Sequence, residues 1–243
     1  MELSKKNIKL IGGIALFGAF GGVLADLFSV WSTTPHTMAT AISIDIKTIK
    51  ELFLDKPRWS FVLGNYLGVF FIPLHMFGFF LIHLALKPAG KIKAYFFMVL
   101  SFYLVAIGAG FHGTLAFIGD TIQSGNNELL NSMLSYWQNW GAVMIVGYLG
   151  ISIFLLSLIV YGKTLYSRKS ALLSPLSLMI ASSALIAILP KEFYGTKKFF
   201  AVTGLNLPLL IFYIVTLETL LRKTGITSQP NRRQTATWFA RYT

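Results

Sequence analysis

Six apolar runs of about 20 residues dominate this 243-residue sequence and decide what it can fold into. A helix needs about 20 apolar residues to cross the hydrocarbon core of a bilayer, because each residue advances about 1.5 Å. Charged residues make up only 12% of the chain, about half of what a soluble domain carries. The sequence therefore predicts an all-α polytopic membrane protein, a bundle of six transmembrane helices. The predicted spans cover residues about 11–31, 60–86, 95–119, 141–162, 171–190 and 199–221.

Two of the predicted outer loops, residues 38–59 and 126–140, have apolar residues at helical spacing. In the first loop Ile49 and Phe53 belong to such a stripe, whereas charged residues occupy other sides of the helical wheel. This pattern is typical of helices that lie in the membrane interface, so short interfacial helices are predicted in these loops. The polar and basic residues 224–243 predict a flexible cytoplasmic tail that touches anionic lipid.

The lysines and arginines behind the net charge of +12 are distributed between the loops as expected of a membrane protein. With the N-terminus placed inside, 14 of the 21 lysines and arginines fall on the inner side. An excess of these residues marks the cytoplasmic side. We therefore expect residues 1–223 to form one transmembrane domain in a bacterial inner membrane, with both termini cytoplasmic. The expected partners are membrane lipid and a lipophilic small molecule, with no nucleic acid, and the sequence indicates no oligomeric state.

The first apolar run has a second interpretation, a cleaved signal peptide. Basic residues precede it, and Val23, Leu24 and Ala25 resemble the small-residue pattern of a cleavage site. Against cleavage, the run is rich in glycine and continues beyond Asp26 to Trp31. We expect a transmembrane helix here, with cleavage as the alternative.

Polar side chains at bilayer depth are candidate functional groups, because an ionisable residue there costs roughly 2.5–3.5 kcal/mol on insertion scales. Helical rise places Asp26, His112 and Asn206, from three different spans, at about the same height on the outer side of the midplane. Asn65 lies somewhat further out, and His75 lies slightly below the midplane. One layer of the predicted bundle thus collects polar groups from several helices.

Small residues on the same helix faces indicate that these polar side chains point into the protein. Gly18 and Gly22 precede Asp26 at intervals of four residues, and Gly108 precedes His112 by the same interval. Glycines at this spacing let neighbouring helices approach closely. We therefore expect Asp26 and His112 to meet inside the bundle.

Prolines beside two of the polar residues predict irregular backbone. Pro73 precedes His75, and Pro208 follows Asn206. Proline removes a backbone hydrogen bond and loosens a helix. The polar side chains would then converge where the helices are least regular, either as a cavity or as a hydrogen-bonded packing cluster.

An aspartate that holds a histidine orients a general base and sets its tautomer. The leading hypothesis is accordingly a small integral membrane enzyme that acts on a lipophilic substrate by acid–base chemistry, of the cyclase, isomerase or hydrolase type. The candidate residues are Asp26 and His112 for the acid–base chemistry, Asn206 and Asn65 for orienting the substrate, and His75 or Asp120 as a second proton donor.

Three other interpretations of the same residues remain open. Asp26 and His112 can form a buried hydrogen bond that only fixes helix packing. The pair can also relay protons in a proton-coupled transporter or channel component. The third alternative is a non-catalytic membrane partner or an immunity-type protein that presents its loops to another protein.

No metal or other cofactor is predicted. A metal would need His112, Asp26, Asp120 and His36, but neither an HxxxH nor an HExxH spacing occurs. A b-type haem needs two axial histidines at one depth, whereas His75 and His112 differ by roughly 10 Å in helical rise. The sequence has no cysteine, which excludes iron–sulfur clusters and cysteine-based zinc sites.

The stretches "FGFFLIHLALKPAGKIKAYFF" and "GAGFHGTLAF" carry a family resemblance. They resemble a group of small six-helix bacterial membrane proteins with no assigned function. In that group a second helix with a histidine ends in a short Lys-Pro-Ala-Gly-like turn before a third helix with its own histidine. The resemblance covers about the middle third of the chain, and it implies the architecture but no reaction.

Overall fold

The computed structural model describes residues 3–31, 46–54 and 56–227, and within these ranges the chain is helical throughout, with short turns and no strand. The predicted tail from residue 228 onward and residues 32–45 of the first outer loop lie outside the described residues. The described helices are α1 (Lys5–Val30), α2 (Ile46–Leu54), α3 (Arg58–Phe71), α4 (His75–Leu86), α5 (Lys91–Gln123), α6 (Asn127–Tyr161), α7 (Pro175–Ile188), α8 (Tyr194–Val202) and α9 (Asn206–Thr227).

Four described segments are long and apolar enough to cross a membrane, which makes this a helical membrane protein. They are Lys5–Val30, Arg58–Ala89, Lys91–Gln123 and Asn127–Tyr161. The pair Lys191–Val202 and Asn206–Lys223, bent by 65°, makes a fifth if it crosses as one span.

The six predicted spans are not confirmed, because the fifth apolar run forms only a short helix. Pro175 starts α7, and the helix ends at Ile188, two residues before Pro190. Its 14 residues extend about 21 Å, whereas the hydrocarbon core is about 30 Å thick.

The predicted interfacial helices of the outer loops are not confirmed: one packs into the protein core, and the other is part of a longer helix. In α2, Ile49 and Phe53 are only 2% and 1% exposed, because they pack into the protein core. Residues 127–161 form one continuous helix, so the second predicted loop helix is the first part of α6. Gly125, at a φ of 71°, turns the chain directly from α5 into α6, and Asn126 caps the new helix.

Contacts at two glycines show that α1 and α9 run antiparallel. A Cβ atom at Gly12 would lie 2.6 Å from the Leu217 side chain, and one at Gly22 would lie 3.0 Å from Asn206. The start of α1 therefore lies at the same end of the bundle as the end of α9. We call the end that contains α2 and the turn 124–126 the α2 end. The start of α1, the end of α9 and the loops 87–90 and 162–174 lie at the opposite end.

Two irregular turns shape the middle of the bundle. Residues Ile72–Leu74 form a single 3₁₀ turn at Pro73, between α3 and α4. The chain bends again at the turn of residues 203–205, before α9 starts at Asn206. Pro208 lies in the first turn of α9, where a backbone N–H has no intrahelical partner to lose. Irregular backbone is thus present beside both His75 and Asn206.

Candidate functional site

A cavity lies between the helices, and the space within it that the centre of a water molecule can occupy is about 110 Å³. Its walls come mainly from α5 and α6, with contributions from α1, α2, α4, α7 and α9. Most of the lining side chains are apolar. Among the exceptions are Asp26, His75, His112, Trp137, Tyr148 and Asn206.

The predicted partners of Asp26 are brought together at this cavity. Asp26 Oδ2 accepts a hydrogen bond from Asn206 Nδ2 over 2.8 Å. The other carboxylate oxygen, Oδ1, lies 3.6 Å from His112 Nε2. All three residues are buried, with exposed fractions of 6–7%. Helices α1, α5 and α9 therefore each deliver one polar group to the same point.

His112 is held in place by the surface of α3. A Cβ atom at Gly68 would lie 2.2 Å from His112 Cγ, so only glycine leaves room for the imidazole ring there. With Nε2 facing Asp26, the other ring nitrogen, Nδ1, is buried and has no hydrogen-bond partner. One nitrogen of this imidazole thus faces the carboxylate, and the other is unpaired in the wall of the cavity.

His75 approaches the same group from α4. Its Nδ1 lies 3.0 Å from Tyr213 Oη, and the Tyr213 ring packs against Gly78, where a Cβ atom would lie 2.3 Å from it. The remaining nitrogen, Nε2, is buried without a partner. A Cβ atom at Gly22 would lie 3.2 Å from this nitrogen and 3.0 Å from Asn206. His75 and Asn206 therefore meet one turn of α1 away from Asp26.

The other two predicted site residues, Asn65 and Asp120, do not line the cavity. Asn65 Oδ1 accepts a hydrogen bond from the Ala116 backbone N–H over 3.2 Å, which joins α3 to α5. Asp120 forms two hydrogen bonds with Arg58, of 2.7 and 2.9 Å, at the protein surface. The sequence indicated polar residue types at these positions, but it did not indicate which partners their side chains reach.

Sequence reasoning missed two aromatic residues of the cavity wall. Tyr148 Oη donates to the Leu205 carbonyl over 3.0 Å and so holds the turn before Asn206. Trp137 stacks on Phe111 with ring centroids 5.0 Å apart, and its buried Nε1 has no hydrogen-bond partner. A tryptophan in a predicted outer loop is typical of a membrane-interface anchor, so its position in the sequence does not indicate that Trp137 lines a cavity. The signal that could have found Tyr148 is its position in the middle of an apolar run.

The described residues contain no cluster of three or more His, Asp or Glu side chains that could hold a metal ion. His36, which the sequence made a possible ligand, lies outside the described residues. Asp120 is engaged by Arg58 and does not line the cavity that Asp26 and His112 share.

No curated protein and no solved structure matches the chain. A family model does match, over residues 3–223, which include every helix that contributes to the cavity. The chain therefore belongs to a family of unknown function, DUF6796.

Proposed function

We propose that the chain is a small membrane enzyme that acts on a lipophilic substrate by acid–base chemistry at Asp26 and His112. The observation that carries this proposal is the arrangement at the cavity. An aspartate and a histidine face each other over 3.6 Å, and unpaired buried nitrogens belong to the side chains that line the same space.

In the proposed reaction each side chain of the group has a role. The Asn206 amide fixes the carboxyl group of Asp26, and the carboxyl group favours the tautomer of His112 with a proton on Nε2. Nδ1 then carries the lone pair, buried beside Gly68 of α3, and it acts as the base once a ligand group reaches it. His75, oriented by Tyr213, offers a second nitrogen for proton transfer.

A role in packing alone fits this group less well. Asn65 is an example of a packing residue, because its side-chain oxygen is satisfied by the Ala116 N–H. By contrast, His112 Nδ1 and His75 Nε2 are buried without a partner. Such unpaired groups cost about 1–3 kcal/mol each, which favours a site that binds a polar ligand group over one that only joins helices.

The same proposal includes a topology of six crossings in a bacterial inner membrane, with both termini cytoplasmic. Two observations support it. The start of α1 and the end of α9 lie at the same end of the bundle, as an even number of crossings requires. With that end inside, 14 of the 21 lysines and arginines lie on the cytoplasmic side. The short α7 is then the fifth crossing.

The test is a comparison of membrane lipids in the bacterium that carries the gene. A deletion strain receives the wild-type chain, Asp26→Asn, His112→Gln or the surface control Asp120→Asn, and extracted lipids are compared by mass spectrometry. We expect at least one lipophilic species to change with the wild type and the control. We expect that change to be absent with the two site variants.

Folding of each variant is checked by thermal melting of the purified protein. If a folded Asp26→Asn protein restores the lipid pattern as the wild type does, acid–base catalysis at this pair is wrong. The same conclusion follows if deletion of the gene changes no lipophilic species.

A further inference from the structure

The cavity is long, and its length carries information about the ligand. Its walls extend along α5 from Phe97 to Leu115 and along α6 from Trp137 to Leu155. Each stretch advances about 27 Å at 1.5 Å per residue, which is close to the roughly 30 Å thickness of the hydrocarbon core. The cavity is therefore a passage whose length is close to the thickness of the hydrocarbon core, about half the length of α5.

The passage is also narrow. Spread over about 27 Å, the space of about 110 Å³ open to the centres of water molecules corresponds to a tube roughly 5 Å wide once a water radius of about 1.4 Å is added. Carbon atoms in contact lie about 3.5–4.0 Å apart, so this width admits one hydrocarbon chain. Two chains side by side do not fit.

The polar groups lie toward one end of the tube. From His112 to Phe97, α5 advances about 22 Å toward the opposite end. His75 and Asn206 lie at the start of that stretch, beside Gly22, and beyond them the walls are apolar apart from Ser152 and the Tyr148 side chain. Toward the α2 end the walls extend only about 5 Å beyond His112, to Leu115. The tube thus has a long apolar part and a short part that begins at the polar group.

We propose that the ligand of this cavity is a single-chain lipid of roughly 16–18 carbons with an uncharged oxygen, a hydroxyl or a carbonyl group, at its head. The chain length follows from about 22 Å of tube between His112 and the far end and an advance of about 1.25 Å per C–C bond of about 1.5 Å. This inference rests on the proposed function, because it places the head group at Asp26 and His112.

The unpaired nitrogens define the head group. Trp137 Nε1 is a donor only, so it requires an oxygen acceptor from the ligand, either a hydroxyl or a carbonyl. His112 Nδ1, unprotonated in the proposed tautomer, accepts the proton of a hydroxyl. Among the lining residues, Asp26 is the only Asp, Glu, Lys or Arg. An anionic head group would therefore be buried without a counter-charge, which is costly.

A tube of this shape distinguishes ligands by the length of their hydrocarbon chain. Lipid tails are as apolar as the tube walls, so transfer of a chain from the bilayer adds little affinity by itself. A chain that is too long pushes its oxygen beyond His112 and Trp137, whereas a shorter chain leaves part of the tube unfilled. We therefore expect binding to pass through an optimum in chain length.

The experiment measures binding of straight-chain primary alcohols of 8 to 22 carbons to the purified protein. A steroid-based detergent is used, because its fused rings are too wide for a tube of this diameter. Thermal stabilisation is recorded at a fixed alcohol concentration, since a ligand that binds only the folded state raises the melting temperature. We expect the largest increase at 16–18 carbons and about tenfold weaker binding at 22 carbons.

Val105→Trp tests the position of the chain, and Val99→Trp is its matched control on the same helix. Val105 is 4% exposed and lines the tube, about 10 Å from His112 by helical rise, whereas Val99 is 61% exposed and does not line it. We expect Val105→Trp to move the optimum to about 8 carbons and Val99→Trp to leave it unchanged. If Val105→Trp does not fold, Ser152→Leu narrows the far end, and we expect it to shorten the optimum by about three carbons.

Two results would overturn the inference. One is equal stabilisation by all chain lengths in the folded wild-type protein, and the other is an optimum that neither Val105→Trp nor Ser152→Leu moves. Either result leaves the acid–base proposal standing, because that proposal depends on the lipid change lost with Asp26→Asn. Conversely, a chain-length optimum together with a fully active Asp26→Asn protein overturns the catalytic proposal alone.

Discussion

Gly68 shows how a single missing methyl group sets the position of His112. The backbone of α3 lies so close to the imidazole that a Cβ atom would overlap His112 Cγ at 2.2 Å. Cores resist such overlap, and overpacking typically costs about 1–3 kcal/mol. The distance between His112 and Asp26 is therefore sensitive to the size of residue 68, although that residue carries no polar group.

We predict that Gly68→Ala displaces His112 from Asp26 and lowers activity by about tenfold or more, with a destabilisation of about 1–3 kcal/mol. Gly113→Ala is the control, since the nearest atom to its Cβ, Val69 Cγ2, lies at an ordinary 3.5 Å. Lipid analysis and thermal melting measure the two effects. Equal behaviour of both variants would show that the fit at Gly68 does not matter.

Lys56, just after α2, is a lysine whose surroundings lower its pKa and so make stability depend on pH. Burial and, to a smaller extent, the positive charge of Lys198 together lower its pKa from 10.5 to about 8. Its ammonium group donates to the Trp31 carbonyl at the end of α1. Because the folded-state pKa lies below the unfolded one, the unfolded chain binds more protons between about pH 8 and pH 10.5.

We therefore predict that the free energy of unfolding rises with pH across that window, by a total on the order of 3 kcal/mol. Melting temperatures measured between pH 7.5 and pH 10.5 check this. Lys56→Met should remove the rise, whereas Lys91→Met, at an exposed lysine of the opposite end, should retain it. A rise of the same size in all three proteins would mean that Lys56 is not its source.

Helical rise was enough to predict which polar side chains lie at the same height in the bundle. Asp26, His112 and Asn206 were predicted to share one layer, and they meet around one carboxyl group. Asn65 was predicted to orient a substrate, whereas in the structure its side-chain oxygen accepts a hydrogen bond from α5. Helical rise gives the height of a side chain, but it does not give the partner that the side chain reaches.

The helix α2 is held over one end of the cavity by contacts of its neighbour α5. Ile49, Leu52 and Phe53 line the cavity. At the C-terminal end of α2, Gln123 Nε2 donates to the Phe53 carbonyl over 3.0 Å and to the Lys56 carbonyl over 2.6 Å. One side chain thus supplies a hydrogen bond to this nine-residue helix and a second one to Lys56 just after it.

Replacing Gln123 by Met removes both hydrogen bonds that Nε2 donates and keeps a side chain of similar size. We predict that the backbone amides of residues 49–54 then exchange with solvent about tenfold faster, since the loss of one to two hydrogen bonds is worth about 1–2 kcal/mol. Hydrogen–deuterium exchange with mass spectrometry measures this rate. Ser124→Ala is the control, because the Ser124 hydroxyl bonds only to Thr121 of its own helix. Unchanged exchange in the Gln123 variant would mean that packing alone holds α2.

Element boundaries were harder to predict than element type. Apolar length predicted helices correctly, yet a continuous helix through residues 127–161 was interpreted as a loop followed by a span, because polar residues occupy its first turns. In the other direction, the apolar run at 171–190 yields only the 14 residues of α7, since Ser174 and Pro175 start the helix late. Caps and prolines set these ends more closely than hydropathy does.

The proposed topology of six crossings can be tested by cysteine labelling. The chain has no cysteine, so single substitutions can be labelled without background. We place cysteines at the exposed positions Lys6, Ser124, Lys163 and Lys191 and treat intact cells with a membrane-impermeant maleimide. With six crossings, Ser124→Cys and Lys191→Cys should react, whereas Lys6→Cys and Lys163→Cys should react only after the membrane is permeabilised.

The Lys191 position decides the number of crossings. If Lys191→Cys behaves like Lys163→Cys, then α7 does not cross, and the six-helix topology is wrong. The inverse labelling of all four positions would instead place both termini outside. The amount of reagent that reacts after detergent solubilisation serves as the control for equal expression of the four variants.

The hydrogen bond between Asp26 and Asn206 joins residues 180 positions apart, in the first and last of the described helices. Ribosomes extend a chain by about 5–20 residues per second, so about 9–36 seconds pass between synthesis of the aspartate and synthesis of its amide donor. Throughout that interval a newly inserted α1 holds a carboxyl group at bilayer depth without the partner that later satisfies it. A nascent chain that stops before α9 cannot complete this contact, so its Asp26 keeps His112 as a neighbour but lacks the amide that donates to the carboxyl group.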